Sequence, residues 1–405
     1  MAGYGLLGEK LGHSYSPQIH AMLGDYEYLL YPTVRENVPD FVRNNPLDGF
    51  NVTIPYKETV MLYLDWIAPE ALRIGSVNTI RRMPDGSLHG FNTDYFGFRY
   101  MLGDTAKLRG KKALVLGGGG ASKTVCAVLS DIGCEPVIVI SRSGEDNYLN
   151  IAKHADASVI VNTTPVGMYG NQDNAMIELD MFPHCELALD LIYNPAKTHF
   201  LMQAERLGIE NRGGLTMLVA QAVKAAEIWG CVEENSVDVE QVTARIQKSM
   251  QTIALIGMPG SGKSSIGRRL AELTGRKFID LDDEITFEAG MPIPEFFSKY
   301  GEPAFRRLET KVLARCAKES SAVIATGGGI VTIPGNRYLL IQNCVNVLIK
   351  RPLNELPSFG RPVTAAKGVE QIYAERKELY NSWCAYKYDN IGVEETANAI
   401  ADDFT

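Results

Sequence analysis

The sequence predicts an α/β protein made of two units, each built on a parallel sheet and each carrying a glycine-rich loop. Three observations carry this reading. The chain has 405 residues, more than the roughly 250–300 at which one hydrophobic core stops growing. Glycine-rich loops stand at 117–120 and 257–262. Each follows a four-residue apolar run, Ala113-Leu114-Val115-Leu116 or Ile253-Ala254-Leu255-Ile256, and precedes a helix-like stretch. Fully apolar runs of that length suit strands of a parallel sheet covered on both faces.

Composition narrows the class. With 45% hydrophobic and 22% charged residues the chain is globular rather than disordered or collagen-like. Its net charge of -8 opposes a phosphate backbone, so nucleic acid is not expected as a partner. Apolar runs such as Val137-Ile138-Val139-Ile140 fall far short of the ~20 residues that cross a bilayer. Met1-Ala2-Gly3-Tyr4-Gly5 shows no basic segment followed by an apolar one, so no secretory signal and no membrane partner are expected. Seven cysteines without a CxxC pair fit reduced thiols in the cytoplasm. The six histidines make no metal-ligand spacing.

The second loop is the more specific. Gly257-Met258-Pro259-Gly260-Ser261-Gly262-Lys263-Ser264 matches G-x-x-x-x-G-K-[ST] in the required strand–loop–helix setting. Backbone N–H groups of such a loop curl around phosphate oxygens, Lys263 reaches the β/γ-phosphates, and the Ser264 hydroxyl holds Mg²⁺. Phe278-Ile279-Asp280-Leu281-Asp282-Asp283 then ends a strand in carboxylates, at the sheet edge that faces a ligand crevice. On its own that cluster reads as a solvated acidic turn. Glu302-Pro303-Ala304-Phe305-Arg306-Arg307-Leu308-Glu309, Ala325-Thr326-Gly327-Gly328-Gly329, Phe359-Gly360-Arg361-Pro362 and Arg376-Lys377-Glu378-Leu379-Tyr380 follow in order.

Together these stretches resemble shikimate kinase over about residues 252–400. The resemblance implies a nucleotide-binding kinase domain over 252–405 using ATP and Mg²⁺. Asp282 would contact the ring hydroxyls and orient or deprotonate the attacking 3-hydroxyl. Arg306 and Arg376 would clamp the shikimate carboxylate, with Gly328 and Gly329 lining the ring site. Arg361 would act from a lid on the transferred phosphoryl group, and Asp280 would join Ser264 at Mg²⁺. Phosphoryl transfer needs positioning and cationic neutralisation more than covalent chemistry, and arginine meets carboxylate bidentately. The lid, 350–362, is short for the family, which bears on adenine contacts and closure.

The first loop, Gly117-Gly118-Gly119-Gly120-Ala121-Ser122, meets the dinucleotide pattern loosely, with Ser122 where glycine or alanine is usual; a structural turn is the alternative. The strand after it ends in Ser141-Arg142-Ser143, without the acidic residue that holds a free 2′-hydroxyl, and arginine there favours the 2′-phosphate of NADP. Around it stand Gly12-His13-Ser14-Tyr15-Ser16-Pro17, Asn51-Val52-Thr53-Ile54-Pro55-Tyr56-Lys57, Gly75-Ser76-Val77-Asn78-Thr79 and Asn92-Thr93-Asp94. Asn162-Thr163-Thr164-Pro165, Asp190-Leu191-Ile192-Tyr193 and Gly213-Gly214-Leu215-Thr216-Met217-Leu218-Val219-Ala220-Gln221-Ala222 come after.

This succession is similar to shikimate dehydrogenase over about 1–245. The resemblance implies two lobes: a substrate-binding lobe, 1–100 completed by 215–248, and a Rossmann-like NADP(H) lobe, 101–214. Lys57 and Asp94 would be the catalytic pair, Lys57 exchanging a proton with the substrate oxygen and Asp94 holding it; a lysine does such work when partly desolvated and fixed by a carboxylate. Ser14 and Ser16 would bind the substrate carboxylate, and Asn51, Thr53, Asn78 and Gln221 the ring hydroxyls. Tyr193, Gly214 and Met217 would surround the nicotinamide, and Ser141 with Arg142 the 2′-phosphate. Asp146 stands where the family often has a second basic residue and is expected to repel that phosphate. The stretch 144–158 is short, which predicts a trimmed helix or a lost strand. Read singly, Lys57 is a solvated charge after a strand and Ser14/Ser16 a turn before Pro17.

The two resemblances join on one substrate, because the first activity makes what the second consumes. The expectation is a bifunctional enzyme of aromatic amino-acid biosynthesis with 3-dehydroshikimate and shikimate as its small-molecule partners. Two alternatives stand beside it: a quinate-oxidising, NAD-dependent first half, and a catalytically silent metabolite sensor. No oligomeric state is legible. The boundary between the halves is expected near 233–251, where an amphipathic helix from Val237 to Met250 precedes the next strand.

Overall fold

The computed structural model describes residues 3–12, 14–169, 176–356 and 368–404. The chain divides into two compact units, Met1–Ile246 and Gln247–Thr405. That division falls inside the amphipathic helix expected at the boundary.

The first unit opens with a mixed six-stranded sheet. Its strands are β1 (Gly3–Gly8), β2 (Glu27–Pro32), β3 (Gly49–Val52), β4 (Trp66–Ile67), β5 (Thr79–Arg82) and β6 (Leu88–Phe91), in the order β2-β1-β3-β5-β6-β4. Helices α1 (Ser16–Leu23), α2 (Val38–Asn44) and α3 (Pro69–Ile74) lie between them, and α4 (Thr93–Leu102) leads out. β3 pairs parallel with β1 and antiparallel with β5. β3 is buried throughout, so the backbone ends that carry Asn51 and Lys57 rest on a fixed core of Leu7, Phe50, Val52, Tyr56 and Ile80.

The second sheet of this unit is wholly parallel. It runs β11-β10-β9-β7-β8, with β7 (Ala113–Leu116), β8 (Val137–Ile140), β9 (Val159–Asn162), β10 (Leu187–Asp190) and β11 (Glu210–Arg212). α5 (Gly120–Asp131) follows the glycine loop and α6 (His199–Leu207) joins β10 to β11. β7 is buried at all four positions, as its apolar run predicts, and each such Leu or Val contributes about 1.5–3 kcal/mol. The equally apolar β8 is an edge strand with Val139 partly exposed. From β7 the chain goes first to one side and then to the other, so the glycine loop sits at a topological switch point, where such sheets bind ligands. Between β8 and β9 only a 3₁₀ turn, Ile151–His154, stands where a crossover helix is usual; no strand lies in that stretch. α7 (Leu215–Trp229) returns to the first sheet, where Trp229 Nε1 donates to Ile80 O at 2.9 Å, and α8 (Val239–Met250) spans the division.

The second unit is a five-stranded parallel sheet, β13-β14-β12-β15-β16. Its strands are β12 (Thr252–Ile256), β13 (Lys277–Asp280), β14 (Ala322–Ala325), β15 (Cys344–Lys350) and β16 (Tyr386–Asp389). Its helices are α9 (Lys263–Thr274), α10 (Leu281–Ala289), α11 (Ile293–Cys316), α12 (Pro334–Ile341), α13 (Val369–Trp383) and α14 (Val393–Phe404). α11 kinks at Gly301, with φ 79°, two residues before Pro303, which cannot continue a hydrogen-bond ladder. Two apolar clusters cover the two sheet faces. Among the described residues no helix is long and apolar enough to cross a membrane. All seven cysteines are unpaired.

Candidate active sites

In the first unit Lys57 and Asp94, thirty-seven residues apart, meet: Lys57 Nζ donates to Asp94 Oδ2 at 2.6 Å. Tyr56, 1% exposed, anchors the turn that carries Lys57 by donating its hydroxyl to Thr33 O at 2.7 Å. Asp94 lies in the first turn of α4, where the helix dipole favours a carboxylate. That helix is capped by Asn92, whose side chain accepts from Tyr95 N at 3.0 Å and donates to Ser76 O at 2.9 Å. Asn92 is thus a cap, while its neighbour Asp94 faces the lysine.

Three of the four expected hydroxyl-reading residues, Asn51, Asn78 and Gln221, share one network. Tyr28 donates to Asn51 Oδ1 at 2.8 Å, and Asn51 Nδ2 donates to Thr79 Oγ1 at 3.0 Å. Asn78 Oδ1 accepts from Thr93 N at 2.7 Å, and Gln221 Oε1 lies 3.3 Å from Thr93 Oγ1. Gln221 reaches that far because α4 and α7 approach closely at Gly97, where a Cβ would fall 2.6 Å from Met217 O. Ser14 and Ser16 stand together at the start of α1, with Ser16 N donating to Ser14 Oγ at 3.3 Å. Thr53 follows β3, its N–H on Leu7 O at 2.9 Å. Tyr28, Thr79 and Thr93 went unassigned in the sequence; their burial beside the two asparagines is the signal that marks them.

On the parallel sheet, Tyr193 brings its ring to 5.2 Å from Tyr15, joining the loop after β10 to the loop that carries Ser14 and Ser16. Burial raises its phenol above the usual range. Gly214, at the N-terminus of α7, presses on the loop after β10: a Cβ there would sit 2.1 Å from Leu191 O. Asp190 ties this region together, accepting from Asn162 Nδ2 (3.0 Å), Ile192 N (3.0 Å) and Thr198 Oγ1 (2.6 Å). Burial pushes its carboxyl up to about 6.

The glycine loop fits a pyrophosphate. Gly117 has φ 107°, and a Cβ there would strike Thr164 at 2.7 Å. Around Gly119 and Gly120 the space is open. Gly120, Ala121 and Ser122 form the first turn of α5; Ser122 N–H donates back to Gly119 O at 3.1 Å, which leaves the N–H groups of Gly120 and Ala121 for the loop's ligand. Ser141 lies beside Gly118, and Arg142 is exposed next to it. Asp146 does not stand as a bare repelling charge: its carboxylate is paired with Lys153 at 2.5 Å and His154 at 2.8 Å.

The second unit holds a cavity of about 560 Å³ at the C-terminal end of its sheet. Gly260, Gly262, Lys263, Ser264, Asp282, Arg306, Gly328, Gly329 and Arg376 line it. Gly257, Ser261 and Asp280 stand behind the wall, and Arg361 lies outside the described residues. The loop is held in a conformation only glycine adopts easily, with φ 144°, 85° and 99° at Gly257, Gly260 and Gly262. Lys263 Nζ donates to Gly257 O (3.0 Å) and Met258 O (2.9 Å), and the fully buried Ser261 Oγ has no partner. A lysine folded over a glycine cradle suits a polyphosphate. Asp280 caps α10, accepting from Asp282 N at 3.0 Å, so one of its oxygens remains for a cation.

Two guanidinium groups converge across the cavity. Arg376 Nη1 donates to Gly328 O at 2.9 Å and its buried Nε has no partner. Arg306 occupies the place a Gly329 side chain would take, 2.2 Å from its Cβ position. Arg306 Nη1 donates to Glu309 Oε2 at 2.7 Å. Glu309 is 1% exposed, and burial raises its carboxyl despite the arginine. Glu309 belongs to one of the kinase-like stretches but has no role in the sequence-based expectation; its spacing of three from Arg306 is the available signal. Ile293, Pro294, Phe297 and Phe305 form an apolar wall, also unassigned.

The family model for the shikimate dehydrogenase substrate binding domain matches residues 6–80, and that for shikimate kinase matches 259–403. A shikimate dehydrogenase (NADP(+)) of Clostridium beijerinckii is 39% identical over 249 residues, 56% of this chain and 92% of the relative. The chain belongs to the shikimate dehydrogenase family. Its first unit shares that family's architecture. A chorismate mutase/shikimate 5-dehydrogenase fusion protein from Clostridium acetobutylicum superposes with a TM-score of 0.58 at 34% identity, over 61% of this chain and 97% of that one. Shikimate 5-dehydrogenase from Thermus thermophilus, solved with NADP(H) and shikimate, superposes at 0.55 and 32% identity, over 61% of this chain and all of that one. The shikimate kinase match covers nearly the whole second unit, so this dehydrogenase carries a kinase domain behind it.

Proposed function

We infer that the chain is a bifunctional shikimate-pathway enzyme. It reduces 3-dehydroshikimate to shikimate with NADPH and phosphorylates shikimate to shikimate 3-phosphate with Mg·ATP. The observation that carries this is the pairing on one chain of the Lys57–Asp94 couple with the Lys263 loop and its Arg306/Arg376 cavity. Quinate oxidation with NAD and a silent sensor are not favoured: the Clostridium beijerinckii relative is described as NADP(+)-dependent and the Thermus thermophilus one was solved with NADP(H), and the ionic groups of both sites are assembled.

For the dehydrogenase we assign the mixed sheet, 1–100 with 215–248, to the substrate and 101–214 to NADP(H). Ser14 and Ser16 hold the carboxylate, and Asn51, Thr53, Asn78 and Gln221 hold the ring hydroxyls. NADPH, when bound against Gly117–Ser122, Ser141, Arg142, Tyr193, Gly214 and Met217, supplies the hydride to the carbonyl carbon. Lys57 delivers its proton to the carbonyl oxygen, so that oxygen leaves as the 3-hydroxyl, and Asp94 keeps the ammonium aimed at it. Tyr193 and Tyr15 cover the joint between the lobes and exclude water there.

For the kinase, over 252–405, Arg306 and Arg376 hold the shikimate carboxylate and Gly328 and Gly329 admit the ring. Asp282 accepts the proton of the 3-hydroxyl as its oxygen attacks. ATP, when bound at the 257–264 loop, supplies the phosphoryl group. Lys263 and Arg361 neutralise the charge that develops, and Ser264 with Asp280 would hold Mg²⁺. We place both reactions in the cytoplasm.

Product analysis by mass spectrometry tests this. With 3-dehydroshikimate, NADPH and Mg·ATP the protein yields shikimate 3-phosphate; with ATP left out it yields free shikimate. Conversion in neither tube, from folded protein, would sink the reading.

A further inference from the structure

The wall expected to read the ring hydroxyls is organised by two threonines that have no part in the chemistry just described. Thr79, on β5, is fully buried, and Thr93, at the start of α4, is 1% exposed. Their hydroxyl oxygens lie 2.9 Å apart. Three amide side chains from three other places in the fold converge on this pair. Asn51 Nδ2 donates to Thr79 Oγ1 at 3.0 Å. Asn78 Oδ1 is 3.3 Å from Thr79 Oγ1 and 3.2 Å from Thr93 Oγ1, and Gln221 Oε1 is 3.3 Å from Thr93 Oγ1.

Proton counting gives this network a direction. Tyr28 donates to Asn51 Oδ1, which turns the Asn51 nitrogen toward Thr79. Thr79 therefore accepts from Asn51 and has one proton to give. Thr93 likewise has one. One of the two hydroxyl protons bridges the pair across 2.9 Å: Thr79 gives it to Thr93, Thr93 gives its own to Gln221 Oε1, and the Thr93 N–H supplies Asn78 Oδ1 at 2.7 Å. Both amide oxygens are consumed inside the wall. What remains for a ligand is N–H: the Asn78 amino group, and the Gln221 proton not given to Leu218 O at 3.0 Å. A flipped Asn78 would set its nitrogen against the Thr93 N–H, donor against donor, which buried groups do not tolerate.

We propose that Thr79 and Thr93 are positioning residues that fix the donor polarity of the substrate wall, so that Asn78 and Gln221 present N–H groups to ligand oxygens that accept. This rests on the dehydrogenase reading above and adds to it the reason those amides face one way. The ligand class it selects carries hydroxyl or carbonyl oxygens at these points; an ammonium or other donor there is refused.

The test uses the full chain, with the kinase as an internal control. Thr79→Val keeps the shape and removes the hydroxyl; Thr79→Ser keeps the hydroxyl. Thr79→Val should raise KM for shikimate about tenfold or more, the loss expected when a buried network is broken, with KM for NADP⁺ and the kinase rate unchanged. Thr79→Ser should bring KM back to within about threefold of the parent, since the hydroxyl, not the methyl, makes the bonds. If Thr79→Val unfolds the first unit, Thr93→Val takes its place: it spares the Asn51–Thr79 bond and removes the hydroxyl that joins Thr79 to Gln221. A folded valine variant with unchanged shikimate KM, or a serine variant as impaired as valine, overturns the proposal. A parent chain that neither turns over nor binds shikimate overturns the dehydrogenase reading, and this inference with it.

Discussion

Glu309→Ala is the perturbation whose cost the kinase cavity lets us work out. The carboxylate is 1% exposed and lies 2.7 Å from the Arg306 guanidinium, itself 10% exposed. Removing one member of a buried ion pair costs about 3–5 kcal/mol, because the other charge is left uncompensated. Arg306 keeps a second partner, Glu302, at 3.2 Å, but that side chain is 48% exposed and contributes less than about 1 kcal/mol. The expected loss is therefore about 2–4 kcal/mol. For a unit of this length about 2–4 °C of melting temperature goes with each kcal/mol, so the second unit should melt roughly 4–16 °C lower. Calorimetry on the intact chain reads this, with the transition that Mg·ATP raises assigned to the second unit. Glu309→Gln, which keeps an acceptor for Arg306, should fall less than half as far. The double change Arg306→Leu/Glu309→Leu should recover most of the stability while ending kinase activity, since burial alone already raises the Glu309 carboxyl and the pair is costly to bury. A shift under about 1 °C in Glu309→Ala, or a double variant less stable than either single one, would refute the reasoning.

Four further outcomes follow from the sites. Lys57→Ala should lower dehydrogenase turnover by about a thousandfold or more and leave the kinase intact, while Lys263→Ala does the reverse; separate assays on each variant check both. Arg142→Ala should raise KM for NADPH by about tenfold or more and leave KM for NADH in place, read from initial rates with each cofactor. Gly214→Ala puts a Cβ 2.1 Å from the Leu191 carbonyl, so it should destabilise the first unit by about 3 kcal/mol and impair the dehydrogenase alone, measured by urea unfolding and both assays. Burial pushes the Asp190 carboxyl up to about 6, from 3.8. The folded state thus holds this proton more tightly than the unfolded chain; its contribution is fully present below 3.8 and is lost as pH rises through about 6. First-unit stability should fall by about 3 kcal/mol in all from this group as pH rises from below the lower limit to above the upper one, and Asp190→Asn should flatten the dependence, measured by urea unfolding across about pH 3–7.5.

What could be read along the chain was whatever the backbone decides locally. The apolar runs before the two glycine loops are β7 and β12, buried at every position, because an uninterrupted apolar strand has no face to offer water. The same rule misleads at Val137–Ile140, which is as apolar yet forms the edge strand β8. Whether a strand is flanked on one side or two depends on the sheet order, and that is set by residues far away. Lys57 and Asp94 were legible as a pair only through resemblance, since nothing within thirty-seven residues of sequence says that the turn after β3 faces the first turn of α4.

Side-chain partnership was the harder part, and it changes the chemistry more. Asp146 reads as a charge that repels a 2′-phosphate until Lys153 and His154, brought round by a 3₁₀ turn, are seen on its carboxylate. That neutralisation leaves Arg142 unopposed and agrees with NADP in the relatives. Glu309 carries nothing in the sequence beyond its spacing of three from Arg306. In the fold Glu309 is 1% and Arg306 9% exposed, so the pair is buried instead of solvated. In each case the residue type was visible and its protonation, polarity or exposure was not, because those are properties of the neighbours. Thr79 shows this most sharply. A threonine after an asparagine has no chemical reading in sequence, and only the side chains that converge on it, Asn51 and Thr93 among them, make its hydroxyl part of the wall that the two amides belong to.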